Sequence, residues 1–346
     1  MKRDSTLDIA KGFAILLVIF GHCKYVYYPF KIWLYSFHVP LFFAVSGILF
    51  NYEKYKKDFK SFLESRIQSL IKPYLYLSII MWVIVNFLKI IKSYFIDKHL
   101  VFLSSKMIKS FFGIFIGFRL TNFYFSLWFI LVLFLSEILL YFILYIIIKR
   151  QWNMKLTLLI VMVCLLFISF VEFKYINGFI FSLDLVPIAT SLLIFGYILR
   201  IIDYKYLLKP YSLLIFLVLN ILFCILNYKI SGLTDIYNCA IGNVFFFSLA
   251  AYAGIVFSLL LSNLINTNTM LEYIGKNSLV FYAFQNSISL PISTYLVSKL
   301  LNILNINCDI VYFGLTILLT LIILTIISII INKKFPFIIA KKGGIK

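Results

Sequence analysis

Two basic side chains near the start of the chain, Lys11 and His22, stand eleven residues apart in DIAKGFAILLVIFGHCKYVYY. That spacing is close to three helical turns, so both fall on one helix face, about 16 Å apart along the axis. No residue from Gly12 to Cys23 other than His22 is ionisable in the acid or neutral range, so the sequence places this ring well inside an apolar helix. An ionisable group at that depth needs a partner or a task, and a neutral imidazole can accept a proton. Asp8 lies one turn before Lys11. The pair reads either as a snorkelling lysine with a salt bridge or as a receiver for an anionic group at a membrane surface, with Asp8 fixing its direction.

A second imidazole, His38, follows in WLYSFHVPLFFAVSGILF. If the second helix begins around Trp33 on the outer side, His38 sits a turn or two below that surface, at a depth similar to His22 on an antiparallel neighbour. For His38 alone, an interhelical hydrogen bond is an equal reading. Ser46 and Gly47 permit close helix approach. In SRIQSLIKPY, Arg66 and Lys72 suit phosphate, although basic residues also collect on the cytoplasmic side for topological reasons. Asn122–Phe129, with Trp128, forms an aromatic belt at the outer end of a fourth span. Glu137 is a mid-membrane carboxylate expected to face a polar interior, either as a structural group or orienting a catalytic one. In IGKNSLVFYAFQNS, Tyr282 and Asn286 share a face at i, i+4, suited to packing or to a sugar.

The elements that must position these groups are membrane helices. Of 346 residues, 63% are hydrophobic and 13% charged, against about 25% charged in soluble domains. The five scattered cysteines show no CxxC spacing and read as small core residues. With three histidines and no HExxH, no metal site is expected. The net charge of +19 reads as membrane topology and anionic-lipid contact rather than nucleic-acid binding. The first helix reads as retained, since no small-residue cleavage site ends it.

Apolar runs predict an all-α, polytopic fold with about ten spans, near residues 9–27, 33–52, 73–96, 121–148, 156–173, 184–201, 210–228, 240–264, 277–298 and 309–332. Pro291 should kink the ninth. Placing both termini in the cytoplasm puts 21 of the 32 basic residues inside. The exception is the outer loop of residues 97–120, a poorly packed connection or an acceptor-binding one. The whole chain, 1–346, reads as a single membrane-embedded domain.

Together, DIAKGFAILLVIFGHC, WLYSFHVPLFFAVSGILF, the R-x6-P-Y of Arg66 to Tyr74, SLWFILVL around Trp128, LLIFGYILR around Gly196 and IGKNSLVFY resemble the integral-membrane acyltransferase 3 family. Within it they are similar to the fucose 4-O-acetylase-like branch, over nearly the whole length. The family pattern is a basic residue, ten intervening residues and a histidine, filled here by Lys11 and His22. The resemblance implies a role in acyl transfer for His22, with Lys11, Asp8 and His38 beside it. It also implies acetyl-coenzyme A as donor on the cytoplasmic side, met by Arg66 and Lys72, and a sugar hydroxyl of a cell-envelope polysaccharide or lipid-linked glycan as acceptor, with no metal. The family's second arginine is replaced by Ser69, leaving Lys72 to substitute. A histidine is frequent where Gln285 stands, so no catalytic role carries to it. His22 would act as general base or acyl relay. Ser46, Tyr282 and Asn286 are candidate oxyanion donors, and Trp128 and Glu137 candidate substrate contacts. The expected setting is a multi-pass cell-membrane protein. The competing reading is an envelope-glycolipid transporter or flippase in which His22, His38 and Glu137 relay protons.

Overall fold

The protein is described from a computed structural model, which covers residues 4–93, 105–117, 127–175, 178–204 and 209–340. Among these residues the secondary structure is helical, with one isolated bridge between Asp235 and Ala240. The α-helices are α1 (Ser5–His22), α2 (Tyr28–Tyr35), α3 (His38–Leu49), α4 (Phe59–Arg66), α5 (Lys72–Lys92), α6 (Ser105–Ile116), α7 (Trp128–Lys149), α8 (Met154–Tyr175), α9 (Val186–Ile201), α10 (Pro210–Ser231), α11 (Val244–Ile265), α12 (Thr269–Lys276), α13 (Ser278–Phe284), α14 (Leu290–Ile303) and α15 (Asp309–Lys334). Nine helical stretches among the described residues are long and apolar enough to cross a membrane. The chain is a polytopic all-α membrane protein, in which each spanning segment satisfies its own backbone.

The expected ninth span, near 277–298, is irregular. α13 passes into a π-helical turn, Gln285–Ser289, before α14 resumes. Pro291 explains the turn: it brings no N–H and its ring presses on the carbonyl four residues back. The ladder widens to i−5, with the Leu290 amide donating to the Gln285 carbonyl. Pro73 does the same between α4 and α5. There Ile67–Ile71 is π-helical and the Lys72 amide donates to the Ile67 carbonyl.

The outer loop expected at 97–120 is only partly a loop. Residues 97–104 and 118–120 lie outside the described residues, as do Asn122–Ser126 of the aromatic belt, whereas Ser105–Ile116 folds as α6. Its face of Met107, Ser110, Gly113 and Ile114 is buried, and Ser110 Oγ accepts from Trp82 Nε1 of α5 at 2.7 Å.

The helices fall into two compact units. The first comprises Met1–Phe59, Leu135–Asn177 and Asp184–Ser278, the second Lys60–Phe134, Gly178–Leu183 and Leu279–Lys346. In the first, α1 packs on α12 and α3 on α9. Both contacts run backbone to backbone, because a Cβ on Gly12 or Gly275, or on Gly47 or Gly196, would overlap a carbonyl of the facing helix. In the second unit α5 carries α6, with the Tyr74 hydroxyl donating to the Ile114 carbonyl at 2.7 Å.

Candidate active site

His22 and His38 both belong to the first unit, and local sequence sets the position of each. α1 opens on Asp4, whose carboxylate accepts from the Thr6 amide at 3.0 Å. It ends at His22, where Cys23 turns to extended backbone. The next residues, Lys24 to Tyr28, are mostly aromatic or β-branched and weak helix formers, and Pro29 opens α2. His22 is therefore the last residue of its helix, not a ring deep inside one as the apolar run implied. It is crowded by protein atoms yet keeps an open surface, as expected of a group that lines a recess.

His38 sits at a break. Pro40 cannot donate and its ring crowds the Ser36 carbonyl, so the helix stops at Tyr35 and restarts at His38, with Phe37 at φ −148°. The Leu34 carbonyl accepts from the Phe37 amide at 3.3 Å and from His38 Nδ1 at 2.6 Å. A carbonyl only accepts, so Nδ1 carries the proton and Nε2 of the neutral ring keeps its lone pair. His38 is 4% exposed. It is a buried, oriented base beside an open one.

Between the two stands Tyr35, a residue the sequence reading passed over. Its ring lies edge-on to His38 at 4.9 Å and 64° and to His22 at 6.4 Å and 71°. Gly21 makes room for it, since a Cβ there would come within 2.9 Å of Tyr35 Cε2. The break is braced by Asn220 of α10, which is fully buried. Its Oδ1 accepts from Trp33 Nε1 at 2.6 Å, and its Nδ2 donates to Ser36 Oγ at 3.2 Å and to the Ala250 carbonyl at 2.8 Å. An Asn220→Leu variant leaves the half-buried Trp33 indole N–H without its acceptor and removes the ties to Ser36 and Ala250. It is expected to cost about 2 kcal/mol, read as a lower melting temperature in detergent.

With this geometry in hand, sequence comparison identifies the fold's family. Residues 4–332 match the family described as an acyltransferase domain, acyltransferase 3. The chain belongs to that family. A relative, nodulation protein NolL of Mesorhizobium japonicum (strain LMG 29417 / CECT 9101 / MAFF 303099), is 36% identical over 90 residues. That match covers 23% of this chain and 24% of NolL. No solved structure matches.

The other candidate residues are distributed over both units. In the first, Asp8 is buried and Lys11 half-buried on α1, and Glu137 is buried on α7. The Ser46 hydroxyl donates to the Phe42 carbonyl at 3.0 Å, a bond back to its own helix. In the second unit, the Arg66 guanidinium stacks over Phe62 at 5.6 Å, and Lys72 is exposed where α5 begins. Trp128 and Tyr282 flank one ring: Phe129 lies edge-on to Trp128 at 6.2 Å and to Tyr282 at 5.9 Å. Asn286 is exposed within the π turn. Among the described residues no group of three or more His, Cys, Asp or Glu side chains could hold a metal ion.

Proposed function

We propose that this membrane acyltransferase is an O-acetyltransferase of the cell membrane, moving acetyl from acetyl-coenzyme A to a sugar hydroxyl of a cell-envelope polysaccharide or its lipid-linked precursor. The fucose 4-O-acetylase-like motifs support the acceptor class. The observation that carries the reading is the open His22 ring beside a buried His38 whose tautomer is set by the Leu34 carbonyl.

Acetyl-coenzyme A, when bound, supplies a thioester whose carbonyl carbon takes the acceptor oxygen and whose sulfur leaves. His22 takes the proton of the acceptor hydroxyl as the new C–O bond forms, and returns it to the sulfur as the C–S bond breaks. His38 and Tyr35 hold the surroundings of that ring as positioning residues. Arg66 fits a phosphate, because stacking on Phe62 fixes its plane and a fixed guanidinium binds phosphate through two donors. Lys72 adds exposed positive charge at the start of α5. Lys11 suits an anionic donor group, with Asp8 one turn away. Glu137, buried in the same unit as His22, offers an orienting carboxylate.

The reading is tested by O-acetyl content, measured by NMR on glycan from cells with and without the protein. Loss of esters with glycan still on the surface is the expected result; loss of surface glycan itself would indicate transport instead. For the donor, saturating acetyl-coenzyme A should raise the melting temperature of the purified protein. Binding at a hundredfold Kd contributes about 2.7 kcal/mol. Arg66→Ala should lose most of that shift, and a wild-type protein that does not shift would count against this donor.

A further inference from the structure

We propose that Asp235, Asn238 and Lys31 form a saccharide subsite beside His22, which holds the acceptor ring by neighbouring hydroxyls. The inference rests on the acetyl-transfer reading above and extends it to acceptor recognition. All three residues lie in the first unit, on α2 and on the connection between α10 and α11.

That connection, residues 232–243, is a built element. Asp235 and Ala240 exchange backbone hydrogen bonds at 2.6 and 2.9 Å. Asn227, buried at the end of α10, donates to Thr234 Oγ1 at 3.3 Å and to the Ile241 carbonyl at 2.9 Å, and accepts from the Asn243 amide at 2.9 Å. Cys239 Sγ donates to Asp184 Oδ2 at 3.3 Å. Two separate anchors therefore hold the loop before Asp235 contributes its side chain.

The carboxylate is oriented but not saturated. Oδ1 accepts from the Tyr237 amide at 3.0 Å and Oδ2 from Asn238 Nδ2 at 2.7 Å. The Asn238 backbone amide adds a third donor, and an ionised carboxylate offers about four lone-pair sites, so one stays open. Burial pushes the Asp235 carboxyl above its usual range, while the hydrogen bonds from Asn238 and Tyr237 and the charge of Lys31 pull it back. Lys31 and Asp235 thus feel one another, yet among the described residues they form no direct ion pair. The same lysine reaches toward the histidines: Nζ stands 5.4 Å from the centre of the Tyr35 ring and within electrostatic reach of His22. Asp235 is likewise in electrostatic reach of Tyr35.

Separated opposite charges next to an open imidazole suit a neutral polyol better than an ion. The open site of the Asp235 carboxylate accepts from one ring hydroxyl, and the Lys31 ammonium donates to the oxygen of its neighbour. The exposed Asn238 amide adds a further donor. The exposed rings of Tyr27 and Tyr28 flank the start of α2 and present apolar faces of the kind that cover the C–H side of a sugar.

The test uses the full-length protein in detergent, acetyl-coenzyme A, and three probe acceptors: methyl α-L-fucoside, methyl β-N-acetylglucosaminide and methyl α-L-rhamnoside. Ester formation is followed by mass spectrometry. Asp235→Asn and Lys31→Gln are each expected to raise the KM for the preferred glycoside about tenfold while kcat changes less than threefold. Lys24→Gln, which removes an exposed charge from the same side, should leave KM within twofold. Unchanged glycoside KM in variants that keep the wild-type melting temperature would overturn the subsite. So would a fall in kcat at constant KM. Wild-type protein that acetylates none of the glycosides would overturn the acetyl-transfer reading and this inference with it. That failure shows in the wild type rather than in the variants.

Discussion

Replacing His22 by alanine should reduce acetyl transfer by about a hundredfold to ten-thousandfold, the range a positioned general base supplies, with little change in stability. The structure separates the two effects. His22 is the last residue of α1 and has an open surface, so its side chain contributes little to the core, and surface changes of this kind stay within about 0.5 kcal/mol. The measurement is acetyl ester formed per protein, with melting temperature recorded on the same preparation. A variant that melts normally and still transfers acetyl at the wild-type rate would remove His22 from the chemistry. His38→Ala makes an instructive contrast. The Leu34 carbonyl keeps the Phe37 amide as donor, so the break in the helix survives, but the buried ring that stands against Tyr35 is gone. Its loss should be smaller than that of His22→Ala if, as proposed, His38 acts only by positioning.

The two histidines were legible in the sequence because an imidazole in an apolar run is costly and conspicuous, and because a short turn makes their helices neighbours. What was not legible was depth. A hydropathy run does not mark where a helix stops. Here the stop depends on Pro29 opening the next helix and on Gly21 yielding space to Tyr35. The companions were hidden for a related reason. Tyr35, Asn220 and Asp235 are ordinary residues in a chain with 24 tyrosines, and only the tertiary fold brings residue 235 into electrostatic reach of residue 31. Pro291 pointed to an irregularity in its helix, which takes the form of a π turn rather than of a stated bend.

The short motifs that looked weak one by one have a shared physical basis, and it gives the second large expected effect. Gly12 of DIAKG faces the Leu271 carbonyl of α12, and Gly275 of IGKNS faces the Asp8 carbonyl of α1. Gly47 of AVSG faces the Leu193 carbonyl of α9, and Gly196 of LIFGY faces the Ala44 carbonyl of α3. These are two reciprocal pairs, one on the helix that carries His22 and one on the helix that carries His38. Lipid gives helices no hydrophobic reason to associate, so such close backbone contact, with its Cα–H···O interactions, is what holds them together. A carbonyl cannot rotate aside as a side chain can. Gly12→Val and Gly47→Val must therefore push whole helices apart, at about 3 kcal/mol each, the upper end of overpacking costs. Each should lower the melting temperature in detergent and depress transfer without altering any group at the site. Gly314→Ala is the internal control, because a Cβ there meets nothing within 4 Å and alanine is the better helix former; it should leave both measurements unchanged or slightly raised. If Gly12→Val and Gly314→Ala melted alike, the glycine contacts would not be what fixes α1 against α12, and the placement of His22 would have to come from the Tyr35 and Asn220 contacts alone.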